Sequence, residues 1–220
     1  MGGDADPARR GGRSAITARR SRAVESFGNV AEALGRLDFG ASVFAVSRGQ
    51  WSMVDAILHT LDCCRGPCRM SVWTWTVAEY EVEVLGRLRA DGRVADGLLV
   101  IDIAARNKNA AIIAEWRARF GSESVRYVVN HAKIATVEDA DGRRFLLRGS
   151  MNLNFNPRFE NFDVTEGGPE FDLVRRLEEE FPSTVSTVPE AHKASRTSSA
   201  FDAGTLAMFQ GVKAWKPQPK

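Results

Sequence analysis

Long apolar runs are missing from this chain of 220 residues. A membrane helix needs about 20 consecutive apolar residues, and the longest run here, Leu98 to Ala105, is broken by Asp102. The N-terminus has no apolar core of the kind a signal peptide carries, which points to a cytoplasmic protein with no membrane partner. Cysteine is scarce. There are three, an odd number, and with no secretory signal they form no disulfide framework. No internal repeat of fixed period occurs. Neither sign of charge is in excess, with 30 Lys+Arg against 28 Asp+Glu. Hydrophobic residues at 44% and charged residues at 26% are globular proportions, which exclude collagen-like, coiled-coil and wholly disordered chains.

The formal charge of +2 is unevenly spread. Residues 1–25 carry six Arg and three acids, net +3; residues 183–220 are also net +3, so the stretch between them is net −4. Basic ends on a mildly acidic body suit tails that touch a polyanion, or solvated ends with no partner. We therefore divide the chain into a basic, structureless segment (1–25), a folded domain (26–182) and a basic C-terminal tail (183–220).

Within the domain, types of element alternate. A helix is read over Val24 to Arg36. Ala41 to Ser47 reads as a strand, Trp51 to Leu61 as a helix, and Cys68 to Thr76 as a strand. Val77 to Arg89 is helical and Asp91-Gly92 stops it. Leu98 to Ile103 has the continuous apolar character of a strand buried on both faces. Asn109 to Phe120 is a helix and Ser124 to Val129 a strand. His131 to Glu138 and Arg143 to Arg148 then form a hairpin around Asp141-Gly142. Phe162 to Thr165 is a strand, and Pro169 to Phe181 is a helix with Pro near its start. The fold class is thus α/β, a mixed sheet flanked by helices.

Chemistry concentrates in Asn130 to Asp163, NHAKIATVEDADGRRFLLRGSMNLNFNPRFENFD. On a strand, residues two apart share a face, so His131 and Lys133 stand side by side. The hairpin returns Gly149, Ser150 and Asn152 to the same end of the sheet. A nucleophile or base, a fixed cation and neutral donors, with Gly149 allowing close backbone approach, make a site suited to a phosphate.

Elsewhere, His59, Cys63, Cys64 and Cys68 are four potential zinc ligands. The adjacent pair Cys63-Cys64 and the absence of a two-residue cysteine spacing make thiols at a helix end the better reading. Trp73 and Trp75 fall on one face of their strand, for packing, for a dimer interface or for stacking on a base.

The His131-Ala132-Lys133, Gly149-Ser150 and Asn152 pattern, with Glu160 beyond it, resembles the phospholipase D superfamily. The acid of that motif falls on Glu138, a departure from Asp; Asp139 or Asp141 match only with shifted spacing. The other histidines, His59 and His192, lack a Lys two residues on. With a single motif in a short chain, the resemblance implies the bacterial endonuclease-like branch, a homodimer in which two copies of His131 complete one site. It implies a metal-independent phosphodiesterase, a nuclease acting on DNA rather than RNA. In that scheme His131 is nucleophile and acid–base, Lys133 and Asn152 hold phosphate oxygens, and Glu160 orients a His nitrogen. Ser150 contacts phosphate, and Glu138 and Gly149 support the site. No cofactor is implied. Two alternatives stay open: a non-catalytic nucleic-acid-binding or assembly protein on the same scaffold, and a phospholipase D-type phosphatidyl hydrolase or transferase.

Overall fold

The computed structural model describes residues 20–26 and 28–181. In chain order the elements are β1 (Arg20–Ser26), α1 (Val30–Leu34), β2 (Ala41–Ser47), α2 (Met53–Asp62), β3 (Cys68–Thr74), α3 (Glu79–Ala90) and β4 (Val94–Asp102). Then follow α4 (Ala105–Lys108), α5 (Ala110–Phe120), β5 (Val125–Val128), β6 (Ile134–Glu138), β7 (Arg144–Gly149), β8 (Glu160–Glu166) and α6 (Pro169–Glu180). Eight strands form one sheet in the order β1-β2-β8-β7-β6-β3-β4-β5. The β1–β2, β3–β4 and β4–β5 pairs are parallel and the other four antiparallel, so the expected mixed α/β sheet is what forms.

Strand residues alternate between two cores, as the period of two requires. Met70, Val72, Leu99, Ile101, Phe145 and Leu147 pack toward one face with apolar residues of α1, α2, α3, α4 and α5. Trp73, Val100 and Leu146 pack on the other face against Phe171 and Val174 of α6. On that second face the Trp73 indole donates to Glu178 Oε1 at 2.7 Å, and Arg175 holds the other oxygen of Glu178 at 2.6 Å. The carboxylate is thereby satisfied although it is buried.

The topology decides where a site can lie. β2, β3, β4, β5 and β7 end at one edge of the sheet, and β6 and β8 begin there. Connections from seven strands therefore gather at this edge, in the crevice outside the carboxyl ends of the parallel strands where α/β sheets bind ligands.

Several expectations are corrected. The basic N-terminal segment is not structureless to residue 25, because β1 spans Arg20–Ser26 and pairs in parallel with β2. An edge strand draws its hydrogen bonds from its neighbour's backbone, so RSRAVES needs little apolar periodicity to pair. The folded body consequently begins before residue 26. The helix read at 24–36 shortens to α1, with Asn29 as its N-cap accepting from the Glu32 N–H at 3.0 Å. Residues 1–19 and 182–220, including both basic ends apart from 20–25, lie outside the described residues. No helix among the described residues is long and apolar enough to cross a membrane.

Candidate active site

His131 and Lys133 precede β6 instead of opening it, because pairing with β3 and β7 starts at Ile134. Residues 130–133 are held out of the sheet by Asn130, which is buried at 7% exposure. Its backbone N–H donates to Asp102 Oδ2 at 2.8 Å, and its side-chain amide donates to the carbonyls of Thr74 at 3.1 Å and Ala132 at 3.2 Å. Its Oδ1 accepts the Ala132 N–H at 2.9 Å, closing an Asx turn. The turn presents His131 to solvent and tucks Lys133 inward to 8% exposure.

The two side chains meet as the spacing predicts, though through a turn and not a strand face. Lys133 Nζ lies 3.0 Å from His131 Nδ1, 3.2 Å from Nε2 and 2.7 Å from the His131 carbonyl oxygen. An ammonium only donates, so the ring nitrogen it bonds is one that carries a lone pair. Burial pushes the Lys133 ammonium below the ordinary lysine range, and the Glu160 carboxylate pulls it back up.

Gly149 ends β7 beside this turn, its N–H donating to the Lys133 carbonyl at 3.1 Å. A Cβ on Gly149 would fall 2.2 Å from the carbonyl oxygen of Asn161, so only glycine fits between β7 and β8 here. Ser150 Oγ accepts the Asn161 N–H at 3.0 Å and donates to Glu160 Oε2. Asn156 Nδ2 holds the other Glu160 oxygen at 3.0 Å. Asn152 Oδ1 accepts the Trp75 N–H at 3.2 Å, which leaves its amide nitrogen as the donor end. Thr74 links the same backbone: its hydroxyl donates to the Thr76 carbonyl at 2.6 Å and accepts the Leu153 N–H at 2.9 Å. The Trp75 ring lies 6.0 Å from the His131 ring, centroid to centroid.

His131, Lys133, Gly149, Ser150, Asn152 and Glu160 are thus gathered at the one sheet edge. Glu138 is not. It sits at the opposite end of β6, paired with Arg144 and Arg69, about 13 Å along the strand from Ile134 at ~3.3 Å per residue. The neighbouring Asp139, 5% exposed, instead orders the hairpin turn by accepting the N–H groups of Arg65, Asp141 and Arg143 at 3.0, 3.0 and 2.8 Å. Trp73 and Trp75 do not share a strand face: β3 stops at Thr74, Trp73 is buried against α6, and Trp75 is 45% exposed at the site.

Residues passed over in the sequence also serve this edge. Asp102, the acid that interrupts the apolar run, is 7% exposed and also accepts the Ala104 N–H at 2.8 Å. A charge inside a buried strand was the signal for it. Asn130, Thr74 and Asn156 carried no such signal. Among the described residues no group of three or more His, Cys, Asp and Glu side chains comes together to hold a metal. His59 bonds the Gly35 carbonyl at 2.7 Å.

Taken as chemistry, the edge offers an exposed imidazole, a buried ammonium against it, an amide donor and a carboxylate held by two neutral donors. That is an anion site with a nucleophile at its mouth. No family model matches the chain, and no curated protein matches it. In structure it is similar to Nuc, a phospholipase D family member from Salmonella typhimurium, at 21% identity over 63% of this chain and 91% of that one, with a TM-score of 0.40. It is similar also to phosphatidylserine synthase of Haemophilus influenzae (10% identity, 76% of this chain, 46% of that one, TM-score 0.40) and to yeast tyrosyl-DNA phosphodiesterase (13%, 56%, 31%, 0.36). This chain spans less than half the length of the last two, and what it is similar to in fold thus includes one protein described as a phospholipase D family member.

Proposed function

We propose that the protein is a metal-independent phosphodiesterase, a nuclease acting on DNA, whose working site is shared by two copies of the chain. The observation that carries the reading is the contact of Lys133 Nζ with the His131 ring at 3.0 Å, at an edge where Asn152 and the Ser150–Glu160 pair also stand. Lys133 and the Asn152 amide hold the non-bridging oxygens of a phosphodiester and stabilise charge that develops on them. An unprotonated His131 nitrogen attacks phosphorus; a P–N bond forms and the P–O bond to the leaving oxygen breaks. The second copy's His131, as imidazolium, gives that oxygen its proton. Water then attacks the phosphohistidine, yields a proton to the same imidazole, and displaces the first His131.

The scheme needs two histidines. Among the described residues His131 is the one histidine at this edge, since α2 begins there at Met53 and carries His59 in its last turn, away from the site. A two-fold axis supplies the second. Phe155 and Phe159, 56% and 67% exposed on the loop that leads to Glu160, offer apolar surface for the second copy. Glu160 is spoken for by Ser150 and Asn156 within its own chain, so it acts on the site through Ser150 and through its field at Lys133. Ser150 in turn has its proton committed to Glu160. We assign Ser150 the task of fixing that carboxylate and not that of a first phosphate donor. The basic ends favour a polyanionic substrate over a lipid.

Incubation with plasmid and single-stranded DNA in EDTA tests the reading. Cleavage that disappears in His131→Ala, together with an acid-labile phosphoryl group trapped on His131, supports it. Binding of equal strength in both proteins without cleavage means a binding protein. Release of head group from vesicles with DNA left intact means a phosphatidyl hydrolase. Full activity of a species that sediments as a monomer contradicts the shared site.

A further inference from the structure

Next to the His131 turn lies a cavity of about 160 Å³, walled by Trp75, Thr76, Ala104, Ala105, Lys108 and Asn109. It opens between the residues that follow β3 and those that follow β4, at the same edge as the phosphate cluster. The backbone that carries Trp75 and Ala104, and the Asn109 side chain, are held by hydrogen bonds. The Trp75 N–H is bound by Asn152, the Ala104 N–H by Asp102, and Asn109 Nδ2 donates to the Val77 carbonyl at 2.9 Å. One wall is an indole left 45% exposed, inclined 46° to the His131 ring. The opposite side is two alanines, with a hydroxyl and an amide beside them and the exposed Lys108 at the rim.

Flat aromatic surface, a small cavity and a cation at its rim form the combination that single-stranded nucleic acid recognises. Bases stack on aromatic rings while lysines follow the phosphates. Resting on the phosphodiesterase reading above, we infer that the substrate is a single strand. The nucleotide next to the cleaved phosphate stacks its base on Trp75 and seats it in this cavity, and Lys108 meets the adjoining phosphate. A base in a duplex has both faces covered and its edge paired, and it reaches Trp75 only after being unstacked. An indole face accepts any base, so Thr76 and Asn109 add only a mild preference to a sequence-tolerant grip. The cation at the rim and the polar groups in the walls suit a base between phosphates better than an acyl chain.

The test compares kcat/KM on end-labelled oligonucleotides: a single strand, the same strand in a duplex, and the single strand with a tetrahydrofuran abasic residue beside the mapped cut. The full chain, Trp75→Ala and Trp75→Phe are assayed on each. The single strand is expected to be cut at least tenfold faster than the duplex. Trp75→Ala should lose about tenfold to a hundredfold on the intact single strand, mainly through KM, and Trp75→Phe should keep most of the activity. The abasic residue should impose a loss of like size that does not add to that of Trp75→Ala. Equal or faster cutting of the duplex overturns the inference and leaves the phosphodiesterase reading standing, as does a Trp75→Ala loss that is the same on intact and abasic strands. Turnover of phosphatidylcholine vesicles that depends on Trp75 assigns the cavity to a lipid. A full chain that cuts no strand and traps no phosphoryl group on His131 sinks the functional reading and this inference with it.

Discussion

Asp102 accepts the backbone N–H of Asn130 at 2.8 Å, and this bond ties the end of β4 to the turn that presents His131. The same carboxylate accepts the Ala104 N–H, so one buried acid fixes both the His131 turn and a wall of the cavity beside it. Asp102→Ala should strand two backbone donors and lower stability by about 1–3 kcal/mol. DNA-cleavage kcat should fall because the His131 turn loosens, and KM should rise to a smaller extent because the Ala104 wall of the cavity loosens with it. Asp102→Asn keeps one acceptor oxygen and should recover part of both. Urea melts and steady-state kinetics read the two effects; intact kcat in a destabilised Asp102→Ala would make the bond purely structural.

Lys133 carries a sign-defined pH prediction. Burial lowers its ammonium below the ordinary 10.5, and Glu160 opposes the drop. Between the lowered folded value and 10.5 the unfolded chain holds more protons, so stability rises with pH across that window. Activity runs the other way, because the ammonium that faces phosphate is being lost. The alkaline limb of kcat/KM should therefore fall at a pH below 10.5. Glu160→Gln should move that limb lower still. Lys133→Arg should flatten it, since a guanidinium does not titrate there. A limb unmoved by Glu160→Gln would detach it from Lys133.

Glu81 lies in the first turn of α3, 2% exposed, with Oε2 lacking a hydrogen-bond partner. Burial raises its carboxyl above 4.5, partly offset by backbone N–H groups of its own residue and of Phe155; Asp55 adds to the rise. A raised native value means that the folded chain holds the extra proton, so stability falls as pH climbs from about 4.5 through the raised value. Glu81→Gln removes that ionisation and keeps an oxygen for Phe155. It should raise Tm by a few degrees at pH 7–8 and not at pH 4, measured by calorimetry at the two pH values. A Tm gain equal at both would leave the charge without a part in it.

Much of this architecture was legible because buried strands and amphipathic helices announce themselves. Ala41–Ser47 matches its reading to the residue, and β3 to β5 with α3 and α5 fall within a few residues of theirs. The hairpin, with Gly142 at a φ of +80°, follows from Asp141-Gly142. Edge strand β1 was hidden because its hydrogen bonds are lent by β2 and leave no mark on its own composition. His131 looked like a strand residue because the alternation HAKIATVE runs on past the point where pairing stops; only the Asn130 bonds, made to β3 and β4 far away in sequence, reveal the turn. Glu138 illustrates the converse. A motif position assigned by counting falls at the wrong end of β6, while Asp139 beside it orders the hairpin turn. Site residues brought together by the hairpin were readable; those that brace them from other strands were not.

Gly149 lets β7 and β8 close over the Ser150–Glu160 pair. A Cβ there would sit 2.2 Å from a backbone oxygen and 3.0 Å from Phe162 Cα, and neither atom belongs to a side chain that can swing aside. Gly149→Ala must part the two strands where Gly149 and Phe162 pair. Overpacking of that kind costs about 1–3 kcal/mol, a Tm loss of several degrees for a chain of this size. Ser150 and Asn161 flank the opening, so cleavage should fall well beyond what the lost stability explains. Gly142→Ala is the matched control: the added Cβ meets nothing within 4 Å, the left-handed backbone alone costs about 1–2 kcal/mol, and the hairpin turn is remote from His131. Comparable stability loss in the two variants, with activity lost only in Gly149→Ala, is the expected pattern from parallel melts and cleavage assays. Equal activity in both would mean that strand closure at Gly149 has no bearing on the site.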